Sequence, residues 1–191
     1  MAQSLNGYIA KDNGDTSWVG SDDLKHFEEV TTNAGNVVMG RNTYEMLQSN
    51  GEFPLKNRLN VVMTSENFIV PENDNVVFTT MSPGEVVDFL REKNYDQAMV
   101  IGGGRIAKSF FEAGLIHEVY VTIEPVIFGR GVSFIESDNF VEGEDLEVGL
   151  ELLETVQLSD NEIQLHYRVK NESVFTSDEG NESEDVAVYN D

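Results

Sequence analysis

Four short clusters hold the residues whose types and spacing could do chemistry. "VIGGGRI" sets Gly102, Gly103 and Gly104 ahead of Arg105 and Ile106, where an apolar run gives way to an amphipathic one. "MGRNTYE" places Arg41, Asn42 and Thr43 after the apolar Val37 to Met39, and "VVMTS" places Thr64 and Ser65 after Leu59 to Met63. Glycines let backbone N–H groups approach an anion, helix N-termini carry partial positive charge, and an arginine fork matches phosphate oxygens. A phosphate-rich ligand suits all three clusters. The fourth carries a carboxylate: in "WVGSDDLKHFEEV", Asp23 precedes Leu24 and lies one turn from Phe27. Such an acid can sit at the lip of an apolar wall, or it can simply complement the positive start of a helix. "GGG" alone is satisfied by a plain strand-to-helix turn, and "GGGRIA" lacks the spacing of the G-x-G-x-x-G dinucleotide fingerprint.

The elements that must position these clusters follow from the apolar runs. Val37 to Met39 read as a buried strand leading to a helix from Thr43, and Leu59 to Met63 as a second strand. "VVFTTMSPGEVVDFLREK" reads as a short strand and a helix, with Ser82 as N-cap, Pro83 at the first helical position and Glu85 three residues after the cap. The glycine cluster closes a fourth run. This alternation implies an α/β fold with a largely parallel sheet. In open sheets of that kind ligands bind beyond the carboxyl ends of the strands, so the three phosphate-like clusters are expected to face one crevice. Ser21 reads as the N-cap of a short helix whose apolar face is Leu24, Phe27 and Val30. After Gly114 the pattern turns β-branched: "HEVYVTIEPVIF", a short strand over Ser133 to Ile135, and a hairpin of Leu150 to Leu158 and Ile163 to Val169 around "SDN". The sheet is therefore expected to be mixed, with an antiparallel C-terminal edge.

Composition narrows the function classes. The 191 residues carry 35 acids against 12 bases, a formal charge of -23, which disfavours nucleic-acid and anionic-membrane partners. Residues 1–170 read as one domain, and 171–191, with seven acids and no Lys or Arg, as an acidic disordered tail. Cysteine is absent, which removes disulfides, thiolate metal sites and a cysteine nucleophile. No run of about 18 apolar residues exists and no basic-then-apolar leader opens the chain, so a soluble, cytoplasmic protein is expected. His26, His117 and His166 have no metal-ligand spacing and no triad partners; they read as surface or strand residues, and no metal is expected.

Taken in chain order, "NGYIAKDNGDTSW", the W-x4-D-x3-F spacing of Trp18, Asp23 and Phe27, "VVMGRNTYE", "NRLNVVMTS" and "VIGGGRI" resemble the dihydrofolate reductase superfamily. That superfamily includes the dihydrofolate reductases and the reductase domain of bifunctional riboflavin-pathway deaminase-reductases. The resemblance runs from Met1 to about Lys170. It implies a three-layer dihydrofolate reductase-like fold with a mixed, mostly parallel eight-stranded sheet and an antiparallel C-terminal hairpin. It also implies an NADPH-dependent oxidoreductase acting on a small molecule, as a monomer or homodimer.

By the same resemblance the cofactor contacts are Ala10, Arg41, Asn42, Thr43, Thr64, Ser65, Gly102, Gly103, Gly104, Arg105 and Ile106, with a cis peptide between Gly102 and Gly103. Asp23 matches the carboxylate that holds a pterin ring, with Trp18 and Thr122 beside it in the catalytic set. Phe27 and Arg58 fall on the substrate side, Arg58 matching the arginine that grips the glutamate carboxylate of folate. Together these favour 7,8-dihydrofolate as substrate. Ser17 before Trp18 and "TIEPVIFGRGVSFIE" look more like the riboflavin-type reductases, whose substrate is 5-amino-6-(5-phosphoribosylamino)uracil; Arg58 or Arg130 would then meet its phosphate. No deaminase half is expected within these 191 residues, because its zinc-ligand cysteines are missing. A third reading, from another class, is a nucleotide-binding protein that kept the fold and lost turnover. The family's first strand has about five more apolar residues before the position of Met1, so the resemblance implies a truncated start or a short first strand.

Overall fold

The computed structural model describes residues 1–65, 73–135 and 147–170. In chain order the elements are β1 (Ala2–Ser4), β2 (Tyr8–Lys11), α1 (Ser21–Ala34), β3 (Asn36–Gly40), α2 (Arg41–Ser49), β4 (Leu59–Met63), β5 (Val76–Thr79), α3 (Pro83–Glu92), β6 (Val100–Gly102), α4 (Gly104–Glu112), β7 (Glu118–Glu124), β8 (Gly131–Ser133), β9 (Leu150–Gln157) and β10 (Ile163–Val169). The tail reading for 171–191 lies outside the described residues.

The continuous apolar runs form the centre. β3 and β4 are buried along their whole length and pair in parallel, with β5 and β6 added in parallel on either side, in the order β5-β4-β3-β6. Strands covered on both faces need no polar alternation. On one face Val38 and Val61 pack with Val86 and Leu90 of α3 and Phe110 of α4. On the other, Val37, Met39 and Val62 pack with Leu47 of α2 and Phe27 of α1. The helices thus flank the sheet and the three-layer α/β arrangement is present. The capping box read from Ser82 and Glu85 closes the start of α3, with Ser82 Oγ accepting from Glu85 N and Glu85 Oε2 accepting from Ser82 N.

The second four-stranded ladder is mixed. Its order is β1-β7-β10-β9, with β1 parallel to β7 and the other pairs antiparallel. The eight strands of these two ladders match the expected number, and four of the seven strand pairings are parallel. Two details differ. The ladders meet by packing of the Met1 side chain against Gly102, with no β1–β6 hydrogen-bonded pairing among the described residues. A further antiparallel ribbon joins β2 to β8, and β8 runs over Gly131–Ser133 where Ser133 to Ile135 was expected.

The N-cap of α1 is Gly20. Its carbonyl accepts from Leu24 N at 3.1 Å, the first bond of the helix, and Ser21 is the first helical residue. Leu24, Phe27 and Val30, the expected apolar face, all line one cleft. Leu24 is 54% exposed, and the inward stripe contains Asp23, Thr31 and Ala34, all buried, with Phe27 and Val30 half-buried.

Candidate active site

The carboxyl ends of β3, β4 and β6 open into one cleft of about 2380 Å³. Its lining includes Arg41, Asn42, Thr43, Thr64, Ser65, Gly103, Gly104, Arg105 and Ile106, so all three phosphate-like clusters share it. The opposite wall includes Ile9, Ala10, the 12–17 loop, Asp23, His26 and Phe27. A single drug-sized ligand fills roughly 300–1000 Å³, so the cleft has room for two ligands side by side.

Packing explains why the clusters converge. A methyl built on Gly40, the residue before α2, would lie 2.7 Å from Ile106 Cγ1, and one built on Gly103 would lie 3.6 Å from Thr43 Oγ1. The starts of α2 and α4 therefore abut. Neither start carries an acid in its first turn, in contrast to α1 and α3, and neither has the side-chain cap that closes α3. In a chain of charge -23, two acid-free helix starts beside Arg41 and Arg105 form a local positive pole. Arg41 is held by Glu45, Nε to Oε1 at 2.6 Å. The donor set fits the phosphates of a dinucleotide such as NADPH, and Gly103 leaves a gap that a side chain would fill.

Asp23 is 6% exposed and still lines the cleft, so it is an inward carboxylate and not a solvated first-turn acid. Phe27 and Ala10 line the cleft with it. Gly102, Trp18, Thr122 and Arg58 are not among the lining residues. Gly102 lies behind Gly103, to which it is joined by a cis peptide bond. Trp18 braces the 12–17 loop: its Nε1 donates to Asp15 O at 3.0 Å and its ring meets Phe128 edge-on at 5.1 Å. In the same loop, the Lys11 ammonium bonded to Asp15 at 2.6 Å holds that carboxyl down to about 2. Thr122 is fully buried and accepts from Gln164 Nε2 at 3.2 Å; Gln164 is the group that reaches the cleft.

Arg58 is consumed within the fold. Its Nε donates to Lys56 O at 2.9 Å, one terminal nitrogen donates to Thr31 Oγ1, and the other donates to Glu28 Oε1 and to Thr32 Oγ1 at 2.9 Å. The side chain is fully buried, and Glu28, Thr31 and Thr32 approach it from one face of α1. Arg58→Lys keeps the charge and loses the fork, so it is expected to cost about 2 kcal/mol and lower the melting temperature by about 5 °C. Calorimetric melting checks this.

Three residues were not singled out from the sequence. His26, expected as a surface or strand residue, lies on α1, lines the cleft and has a buried Nε2 without a hydrogen-bond partner. Glu124 and Glu162 are both buried close to the start of α1. A charged residue inside the apolar run "VYVTIEPVIF" was the available signal for Glu124. His166 has a structural setting: it stacks on Tyr120 with centroids 4.0 Å apart and bonds Glu118 at 3.0 Å. Among the described residues no group of His, Asp and Glu could hold a metal ion, and no helix is long and apolar enough to cross a membrane.

A three-layer α/β fold with a mixed sheet, opening at its strand ends into a two-ligand cleft, defines the dihydrofolate reductase-like reductases. Within that class the chain belongs to the RibD C-terminal domain family, whose model matches residues 1–165. It is 28% identical over 193 residues to bifunctional dihydrofolate reductase-thymidylate synthase 1 of Arabidopsis thaliana, covering 93% of this chain and 35% of that one. The chain therefore spans about a third of that relative's length. Among solved structures it resembles a protein from Shewanella sp. PV-4 assigned to riboflavin biosynthesis, with a TM-score of 0.72 at 22% identity, covering 89% of this chain and 96% of that one. It also resembles dihydrofolate reductase from Enterococcus faecalis complexed with NADP(H), with a TM-score of 0.64 at 26% identity, covering 88% and 92% of the two chains.

Proposed function

We propose that the chain is an NADPH-dependent reductase that transfers hydride to a reduced pterin, converting 7,8-dihydrofolate to tetrahydrofolate. The observation that carries this reading is the placement of Asp23, a buried carboxylate facing the cleft across from the glycine cradle. A pterin presents its ring N3–H and 2-amino group side by side, two donors that match the two oxygens of one carboxylate. The aminouracil also presents adjacent donors, ring N1–H beside its 6-amino N–H, so Asp23 suits either ring and the paired assay below decides between them.

When bound, the nicotinamide supplies the hydride. The chain's own groups do the rest. Arg41, Thr43, Arg105 and the N–H groups at the start of α4 receive phosphate. Thr64 and Ser65 lie at the adenosine end, and Phe27 backs the substrate ring. Asp23 holds the ring through its two donors and favours the proton that must reach the reduced C=N bond. Positioning of two planar rings in one cleft is the main contribution expected of such a site.

A second reading is favoured by Arg58. With its guanidinium taken by Glu28, Thr31 and Thr32, it presents no receptor for the glutamyl carboxylate of folate. That suits a substrate without this tail, including the phosphoribosylaminouracil of riboflavin synthesis. The test is NADPH oxidation measured in parallel with 7,8-dihydrofolate and with 5-amino-6-(5-phosphoribosylamino)uracil. Faster oxidation with dihydrofolate is expected. The opposite order moves the assignment to the riboflavin substrate, and NADPH binding without oxidation of either moves it to a nucleotide-binding protein.

A further inference from the structure

The start of α1 meets two carboxyl groups, Glu124 at the end of β7 and Glu162 in the β9–β10 hairpin. Gly20 N donates to Glu124 Oε1 at 3.0 Å, and Glu124 is 2% exposed. A methyl built on Gly20 would lie 1.4 Å from Glu162 Oε1 and 3.4 Å from Glu124 Oε2, so both carboxyls crowd the same glycine. Only a residue without a side chain lets them meet there. Glu162 belongs to the β9–β10 hairpin, where its carbonyl accepts from Leu158 N at 3.0 Å. Its side chain turns back toward α1, and Glu162 is 8% exposed with Oε2 buried and unpartnered.

The charges around this pair give it no direct counter-ion. On α1, Lys25 is bonded to Asp22 at 2.7 Å and feels Glu162 only through space, while Asp23 adds a third carboxyl facing Glu124. On the β1 side the Met1 ammonium donates to Tyr120 O at 2.7 Å and feels Asp23. Among the described residues no ion pair reaches Glu124 or Glu162. Two carboxyls that crowd one glycine, with no cation between them, favour a proton on one member of the pair.

We propose that Glu124 and Glu162 share one proton and act as positioning residues for the reductase site, bridging β7 and the β9–β10 hairpin to Gly20 and so fixing Asp23, one turn further along α1. The placement of Asp23 against substrate rests on the reading above; the proton-sharing pair does not. Burial first, then the Glu162 and Asp23 carboxyls, push the Glu124 carboxyl above its ordinary 4.5, with the Gly20 N–H opposing. A group raised in this way stabilises the fold fully below its ordinary value, and that contribution is lost as pH rises through the raised value. Alkali should therefore loosen the start of α1.

Glu124→Gln tests this. Its amide oxygen still accepts from Gly20 N, and its amide NH₂ donates permanently to Glu162, so the bridge no longer depends on pH. Relative to wild type, the variant is expected to melt about 3 °C higher at pH 8.5 and to lose that advantage by pH 5. At pH 8.5 its KM for dihydrofolate is expected to be about fivefold lower, with kcat changing less. Glu124→Ala, which has no bridge, should show a raised KM at both pH values. Parallel melting profiles for wild type and Glu124→Gln from pH 5 to 8.5 overturn the shared proton. A melting difference with an unchanged KM overturns the positioning role. Absence of turnover in wild type with the melting difference intact upholds the pair and removes the substrate reading instead.

Discussion

Asp23→Asn is expected to lower dihydrofolate turnover by about 100- to 1000-fold while NADPH affinity stays within about twofold. The two expectations have separate physical origins. Asparagine keeps the size of the side chain but offers one acceptor and one donor where the carboxylate offers two acceptors, so the paired N–H donors of a pterin lose half their match. It also cannot favour a proton at the reacting bond. The phosphate-receiving groups stand elsewhere in the cleft, at the starts of α2 and α4, where Arg41 is bonded to Glu45 and Gly103 lies against Thr43. The fold should tolerate the change, because Asp23 adds to the carboxyl crowding at Glu124 and its neutralisation relieves it. Steady-state kinetics with dihydrofolate, set beside a fluorescence titration of NADPH, separate the two quantities. Equal losses in both would take Asp23 out of the substrate site.

The positive pole of the cleft also makes sense of the overall charge. Thirty-five acids against twelve bases would repel a polyphosphate ligand at long range. The cradle answers this locally, through helix starts that lack acids and through Arg41 and Arg105, at a distance short enough that salt screens little of it. On the proposed NADPH reading, recognition of the cofactor would be a short-range property of backbone N–H groups and arginine forks, compatible with an acidic surface.

How much of this was legible depends on whether the determinants are local. β3 and β4 could be read because strands covered on both faces must be apolar throughout, and α3 because Ser82, Pro83 and Glu85 form a complete start signal. The C-terminal hairpin was placed to within a residue at each end. β2 is not legible in the sequence: Tyr8–Lys11 is a four-residue strand, and its partner residues in β8 lie 120 to 125 positions away. The inward direction of Asp23 is not decidable from the sequence, since a first-turn acid is equally a helix-start residue; its burial in the cleft wall decides it. The occupation of Arg58 by Glu28 and the meeting of Glu124 with Glu162 at Gly20 are pairings across 30 and 38 positions. No periodicity in a single sequence announces them.

Gly103→Ala is expected to weaken NADPH binding by about 10- to 100-fold while moving the melting temperature by less than about 2 °C. The argument rests on what a methyl would meet at two adjacent glycines. At Gly103 the backbone is extended, with φ -78° and ψ -163°, and the nearest atom to an added Cβ is Thr43 Oγ1 at 3.6 Å, an ordinary contact. The fold accepts that methyl, but it stands in the cleft where the N–H groups before α4 would be approached by phosphate, and an overfilled site costs affinity. At Gly102 the outcome differs. Its φ is +117°, which L side chains rarely adopt, and an added Cβ would come within 3.1 Å of the Met1 side chain. Gly102→Ala should therefore lower stability and binding together, and it serves as the control for an effect routed through the fold. Calorimetric melting and NADPH titration on both variants separate the cases. Wild-type affinity in Gly103→Ala would mean that no anion approaches the backbone at that point, and the cofactor would have to lie along Arg41 and Thr64 without touching the glycines.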